Sequence, residues 1–143
     1  MNVLSQILSN KFLMISLFAC FLAQFIKIFT GKKFIEFSRI YTSGGMPSSH
    51  SSFVTSLATL VGIENGFDSV SFAICCVFAL IVMYDASGVR RAVGKHAEIL
   101  NEIIDNLDNK NKEYEELKEL VGHTPKEVLF GGILGIITAI LLY

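Results

Sequence analysis

Four long apolar stretches in a chain of 143 residues are the feature that most constrains the fold. They span residues 12–29, 51–63, 70–84 and 126–142. Runs of this kind are typical of helices that cross a bilayer or pack inside one. The whole chain is 52% hydrophobic and only 17% charged, which is typical of the membrane class rather than of a soluble domain. The sequence therefore predicts an all-α integral membrane bundle of four transmembrane helices, in a single domain covering residues 1–143.

The four runs differ in character. No small-residue cleavage site follows the first run, so we expect a retained span and not a signal peptide. The second run is rich in serine and threonine, which favours packing against other helices over contact with lipid. The fourth contains glycines that would let neighbouring helices approach closely, and these make a homodimer plausible: Gly131, Gly132 and Gly135. The three cysteines lie inside apolar runs, so neither a disulfide nor a zinc site is expected: Cys20, Cys75 and Cys76.

A polar segment, about residues 91–121, separates the third and fourth runs. Apolar residues recur at helical spacing from Val93 to Leu107, with charges on the other faces. Residues 108–111 interrupt this pattern, and residues 113–121 form a second, acidic helical stretch. We predict an amphipathic helical hairpin on the surface of the bundle.

The distribution of charge predicts the orientation. The segment after the first run and the segment after the third are both basic, whereas the short turn at residues 64–68 contains no positive charge. With four spans, both basic segments lie on one side, and the acidic turn and both termini lie on the other. The positive-inside rule then places the basic, active face in the cytoplasm.

Residues 44–52 are the first candidate site. Two glycines, a proline and two serines come directly before His50 and the second apolar run. A loop that enters a helix in this way offers backbone N–H groups and small hydroxyls to an oxyanion. The imidazole of His50 can hold or release a proton near neutral pH. On its own, however, the pattern is equally consistent with a serine-rich N-cap and an incidental histidine.

Further polar groups gather on the same predicted face. Lys32 and Arg39 lie in the first basic segment, residues 85–91 follow the third run, and residues 122–127 precede the fourth. Two histidines at helix starts, His50 and His123, would thus be surrounded by cations. Lysine and arginine can neutralise phosphoryl oxygens while one histidine attacks phosphorus and the other protonates the leaving oxygen.

These strings resemble the divergent membrane branch of the type 2 phosphatidic acid phosphatase and vanadium haloperoxidase superfamily. Lys32 and Arg39 match its first element, with Ile40 in place of a proline. Pro47-Ser48-Ser49-His50 matches the second, with serine in place of glycine. The third element is split: residues 87–91 supply the arginines, and His123 with Glu127 supplies a histidine and an acid four residues apart.

The resemblance implies a membrane phosphatase that hydrolyses a lipid-linked or amphiphilic phosphate monoester or diphosphate through a phosphohistidine. It implies that His123 is the nucleophile, that Glu127 orients it, and that His50 is the general acid. The phosphate oxygens would be held by six residues: Lys32, Arg39, Ser48, Ser49, Arg90 and Arg91. The mechanism requires no metal and no other cofactor. The expected partners are the substrate and the membrane, and not nucleic acid.

The sequence allows alternative assignments for the nucleophile and for the two acidic residues. His96 also fits the parent spacing from Arg90, but the residue four positions later is Leu100, whereas Glu127 follows His123 at that distance. Glu127 also completes a capping box with Thr124. Asp85 is expected to pair with Arg90 or Arg91, in preference to acting on substrate.

The function has rivals as well. Lys32 and Arg39 could simply be cations at the membrane edge, and Asp85 with Glu127 could recruit a divalent ion. The main alternative is a membrane protein that binds or transports phosphate-headgroup lipids without cleaving them. A small structural subunit is a third class, but it would leave the two histidines and the cations unexplained.

Overall fold

The computed structural model describes residues 2–30, 44–106, 117–118 and 121–143, and within these ranges the chain is helical with no strand. The helices are α1 (Val3–Leu8), α2 (Lys11–Lys27), α3 (Ser49–Asn65), α4 (Val70–Ser87), α5 (Val89–Asn106) and α6 (Pro125–Leu142). The predicted all-α class is confirmed. Each of the four apolar runs lies in one helix, except that residues 28–29 follow the end of α2, and the short α1 was not predicted from the sequence.

Polar caps set where the long helices begin. The side chains of Asn10, Ser48, Ser69 and Thr124 each accept a backbone N–H from the first turn of α2, α3, α4 and α6. Such caps satisfy donors that a helix start leaves without a partner inside the helix. The apolar runs therefore start as helices immediately after a small polar residue.

Helix α3 is the centre of the bundle, because α2, α4 and α6 all pack against it. Contacts at one end of the bundle establish the alternating directions. Lys11 at the start of α2 lies 3.7 Å from the Glu64 carboxylate near the end of α3, and 4.2 Å from the ring centroid of Tyr143 after α6. Asn65 donates to the Ser71 hydroxyl at the start of α4 (3.0 Å). The end of α2, the start of α3, the end of α4 and the start of α6 therefore gather at the opposite end.

Small residues bring α3 and α6 into backbone contact. A Cβ atom at Gly131 would overlap the carbonyl oxygen of Ser48, and one at Gly135 would overlap that of Ser52. The Thr55 hydroxyl donates to the carbonyl of Gly132 (3.0 Å) across the same contact. Serine and glycine at four-residue spacing on facing helices are typical of close packing in membranes. These glycines therefore allow close packing between two helices of the same chain. The homodimer predicted from them stays a prediction.

Two helical stretches among the described residues are long and apolar enough to cross a membrane: Val70–Asn106, which joins α4 to α5 across Gly88, and Pro125–Leu142. Helices α2 and α3 have 17 residues each. Length and composition alone therefore support two spans and not clearly the four that the sequence predicted.

The predicted surface hairpin is described in part. Helix α5 begins at Val89, two residues before the predicted start, and contacts only α4 among the described helices. The Asn101 side chain exchanges hydrogen bonds with the backbone of Leu117 (2.9 and 3.0 Å), so the returning chain lies against α5 there. The predicted second helix, 113–121, falls mostly outside the described residues.

The α3–α6 contact predicts that three neighbouring glycines differ in how much stability is lost when each is replaced by alanine. We expect Gly135→Ala to destabilise the protein by about 1–3 kcal/mol, the usual cost of overpacking, and Gly131→Ala to behave similarly. Gly132→Ala is the matched control, because the nearest atom to its Cβ would be the flexible Met83 Cε at 3.5 Å. Thermal unfolding in detergent checks the ranking. Equal melting temperatures for Gly132→Ala and Gly135→Ala would contradict it.

Candidate functional site

The start of α3 is built from buried serines. Ser48 caps the helix, and its hydroxyl oxygen accepts from both the backbone N–H (3.3 Å) and the hydroxyl (2.9 Å) of Ser51. Ser48 and Ser51 are fully buried, Ser49 is 5% exposed, and His50 lies exposed in the first turn. The Thr30 hydroxyl donates to the carbonyl of Met46, so the end of α2 holds the loop that leads into this turn.

The start of α6 lies beside the start of α3. The backbone N–H of Ser48 donates to the carbonyl of Glu127 (3.0 Å), and the N–H of His123 donates to the carbonyl of Ala86 in α4 (2.9 Å). Gly122 has a φ of +92°, and a Cβ atom there would overlap the backbone of Arg90 and Arg91. The two halves of the split third motif are therefore adjacent in space.

His123 is the most deeply buried of the three predicted catalytic side chains. It is 2% exposed, and neither ring nitrogen has a hydrogen-bond partner among the described residues. Burial, followed by the nearby positive charges of Lys27, His50 and Arg90, lowers the pKa of His123 to about 4. The imidazole is therefore neutral at pH 7 and has a lone pair available.

Lys27 lies in the candidate site, and the sequence patterns did not predict it there. It is the last residue of α2, is 1% exposed, and its charge acts on His123. A signal was present in the sequence: Ser16, Gln24 and Lys27 are the polar interruptions of the first apolar run. Ser16 and Lys27 both lie on the buried face of α2 that Ala19 and Ala23 share. Polar residues on the buried face of a membrane helix mark a functional interior more often than a lipid contact.

Asp85 and Arg90 form an ion pair between the end of α4 and the start of α5, with Arg90 Nε 2.6 Å from Asp85 Oδ2. This is the pairing that the sequence analysis favoured over a direct role of Asp85 on substrate. The charges of Arg90 and Asp85 also act on His50. Arg91 is exposed, and it is the backbone of Arg91 that contacts Gly122.

Glu127 forms the capping box. Its carboxylate accepts from the backbone N–H of Thr124 (2.8 Å), and its own N–H donates to the Thr124 hydroxyl (3.3 Å). The carboxylate therefore lies on the helix start and makes no hydrogen bond to the His123 ring. The rival nucleophile, His96, is exposed on α5, whereas the imidazole of His123 is buried.

Two predicted phosphate ligands, Lys32 and Arg39, lie outside the described residues. Within the described ranges there is no group of three or more histidine, cysteine, aspartate or glutamate side chains that could hold a metal ion. What the described residues bring together at one end of the bundle is a set of two histidines, Lys27, Arg90 and two helix N-termini. Such a set can bind an anion and move a proton.

The model of the divergent PAP2 family matches residues 8–138. The chain belongs to the divergent PAP2 family. This confirms the resemblance drawn from the motifs. Among relatives of this divergent PAP2 protein, the uncharacterized membrane protein YuiD of Bacillus subtilis (strain 168) is 40% identical over 152 residues, which cover 96% of each chain. No solved structure matches the chain significantly.

The depressed pKa of His123 predicts that its ring stays neutral in mildly acidic solution. A free histidine titrates near 6.5, so between about pH 6.5 and pH 4 the unfolded chain binds a proton that folded His123 does not. This contribution to stability is complete above pH 6.5 and is lost as the pH falls towards 4. NMR of histidine-labelled protein should show His123 signals that do not move between pH 7 and about pH 5. His123→Gln assigns the signals, and a midpoint near 6.5 would contradict the burial.

Proposed function

We propose that this protein is a membrane phosphatase for a lipid-linked or amphiphilic phosphate monoester or diphosphate. The observation that carries the proposal is the convergence of a buried, neutral His123 with His50, Lys27 and Arg90 at one end of the bundle. A neutral imidazole is a competent nucleophile, and fixed cations stabilise the charge that develops on a transferred phosphoryl group.

The chemistry divides between the two histidines. A ring nitrogen of His123 attacks phosphorus, an N–P bond forms, and the P–O bond to the leaving group breaks. His50, in its protonated form, gives its proton to the leaving oxygen. In the second step His50 accepts a proton from water, which attacks the phosphohistidine, releases inorganic phosphate and regenerates His123. No step requires a metal.

Binding of the phosphoryl oxygens is assigned to the cations and to the start of α3. Lys27 and Arg90 supply positive charge, and Ser49 in the first turn of α3 supplies an N–H group that a helix start leaves without a helical partner. The N–H of Ser48 donates to the Glu127 carbonyl, so Ser48 can contribute through its hydroxyl alone. Lys32 and Arg39 keep the role that the family resemblance gives them, and Arg91 is the alternative to Arg90. Lys27 is added to the predicted set because it is buried beside His123.

Glu127 takes a positioning role in this proposal. Its carboxylate holds the N–H of Thr124, the residue that follows His123, and so fixes the backbone from which the nucleophile projects. The family resemblance implies instead that the carboxylate orients the imidazole itself. Both roles predict a loss of activity on truncation, but only a direct contact with the imidazole depends on negative charge.

We also propose that α2, α3, α4 and α6 all cross the membrane, with the site on the cytoplasmic side. Seventeen residues rise about 25 Å, close to the hydrocarbon thickness of roughly 30 Å. The outer face of α2 exposes large aromatic rings that lipid would cover: Phe18, Phe21 and Phe25. The segments that follow α2 and α4 are both basic in sequence, and α2 and α4 end on the side of the bundle where the candidate site lies, so the positive-inside rule supports this orientation.

One observation favours the alternative of a protein that binds or transports phosphate-headgroup lipids without hydrolysis. Among the described residues no carboxylate accepts from the His123 ring, whereas nucleophilic histidines are commonly oriented by one. Release of inorganic phosphate by the purified protein supports the phosphatase. Retention of labelled lipid phosphate without release supports the binding protein.

The histidine assignment predicts the outcome of three substitutions. We expect His123→Ala and His50→Ala each to lower phosphate release from lipid phosphates and diphosphates by roughly 10³-fold or more, since each removes a group that acts on the reacting atoms. His96→Ala is the matched control and should retain activity. Acid-quenched protein should carry a phosphohistidine that is absent from His123→Ala. Wild-type rates in His123→Ala, or a loss confined to His96→Ala, would overturn the assignment.

Glu127→Gln separates the two roles of the acid. Glutamine also completes a capping box, so we expect this variant to keep most of the activity and stability. Glu127→Ala removes the carboxylate half of the capping box and should lose about 0.5–1.5 kcal/mol of stability, the usual net contribution of one hydrogen bond, together with activity. A loss of roughly 10²-fold or more in Glu127→Gln at unchanged melting temperature would instead show that the charge acts on His123.

A further inference from the structure

Two apolar cavities lie end to end between α4 and α6. The first, about 590 Å³, extends from Phe72 and Ile140 to Met83. The second, about 800 Å³, continues from Leu80 and Met83 to the end of α4. Because Leu80 and Met83 line both cavities, the two form one groove, which we call the α4–α6 groove. Each cavity falls within the size range of ligand pockets in proteins.

The groove follows from the packing of the bundle. Helices α4 and α6 both pack on α3 but make few contacts with each other. Gly132 contributes to the gap, since it presents no side chain towards Met83. The floor of the inner cavity is formed by α3, with Thr55 and Ala58, and its walls are apolar side chains of α4 and α6.

The outer end of the groove lies at the candidate site. Asp85, Ser87 and Pro125 line this end. Asp85 is paired with Arg90, whose charge acts on both histidines, and Pro125 is two residues after His123. The groove thus ends at the Asp85–Arg90 ion pair, next to the segment that carries His123, and is complementary to a hydrocarbon chain whose anionic head reaches Arg90.

We propose that the α4–α6 groove binds the hydrocarbon chain of a phosphate ester whose head group reaches His123. This inference rests on the proposed function, because it uses the same site for the head group. The rise from Phe72 to Ser87 along α4 is roughly 22 Å, which exceeds half of the ~30 Å hydrocarbon core. The groove therefore takes a chain at least as long as one leaflet is deep, and the chain enters sideways from the bilayer between α4 and α6.

Tryptophan fluorescence can test whether a hydrocarbon chain occupies the groove, and the measurement does not depend on catalysis. The chain contains no tryptophan, so one introduced residue is the only reporter. Phe72→Trp places a single reporter at the inner end of the groove. The probe is an alkyl phosphonate with a bromine on its terminal carbon, which keeps the anionic head but has no P–O ester bond to cleave. In phospholipid vesicles, which add no tryptophan, we expect quenching by the hexadecyl probe to saturate and to be relieved by excess unlabelled hexadecyl phosphate. The hexyl probe is too short to reach the reporter from the site, so it should not quench in this way.

Two controls address non-specific contact with lipid. Phe78 lies on α4, is 53% exposed and does not line the groove, so Phe78→Trp should show only quenching that rises without saturation. Brominated hexadecanol carries the same chain without the anionic head. Saturation by this neutral probe at equal concentration would overturn the proposal, since the groove would then accept any membrane chain.

The outcomes also separate this inference from the proposed function. Saturable quenching without release of phosphate from hexadecyl phosphate would support chain binding in the groove and contradict the proposed phosphatase activity. Phosphate release with no saturable quenching would contradict chain binding in the groove and support the proposed phosphatase activity. Ile136→Trp, on the facing wall of the inner cavity, repeats the measurement if Phe72→Trp does not fold.

Discussion

The backbone contact between α3 and α6 is the constraint on which the rest of the structure depends. Ser48 and Ser52 on one helix face Gly131 and Gly135 on the other, with no room for a Cβ atom between them. The backbone N–H of Ser48 also donates to the carbonyl of Glu127, the third residue of α6, so the two helix N-termini lie side by side. Two helix N-termini carry partial positive charges that repel each other, and an anion placed between them removes that repulsion. The packing that holds the bundle together therefore also prepares a place for a negatively charged group.

The side chains at this end continue the same electrostatic argument. Lys27 is buried, Arg90 is held by Asp85, and both charges act on a buried His123. Without a ligand, burial and then these cations disfavour a proton on the imidazole and lower the pKa of His123, so its ring is neutral at pH 7. With a phosphoryl group present, the same cations face negative oxygens. In the proposed mechanism positive charge thus serves two purposes, helping burial to keep His123 neutral and binding the phosphoryl group.

Sequence patterns predicted the local structure well and the contacts between distant segments less well. The apolar runs and the caps Ser48 and Thr124 are local, so the four core helices begin and end close to the expected residues. The glycines of α6 correctly indicated close approach, but a sequence does not say which helix is approached, and the partner within the chain is α3. Lys27 was missed because a lysine at the end of an apolar run usually lies at the membrane edge. Glu127 matched both a capping box and a histidine–acid pair, and one carboxylate cannot occupy both positions in one conformation.

The split third motif shows how the fold restores a spacing that the sequence has lost. In the parent pattern the arginine and the histidine are a few residues apart, whereas here a segment of about thirty residues separates Arg91 from Gly122. The residues at the two ends of that segment are in contact, because Gly122 lies directly on the backbone of Arg90 and Arg91 and the N–H of His123 donates to the carbonyl of Ala86. Closing a long loop costs only slightly more than closing a short one, since the entropy grows with the logarithm of length. What the insertion does require is a residue without a Cβ atom and with a positive φ where the chain returns, and glycine alone meets both conditions.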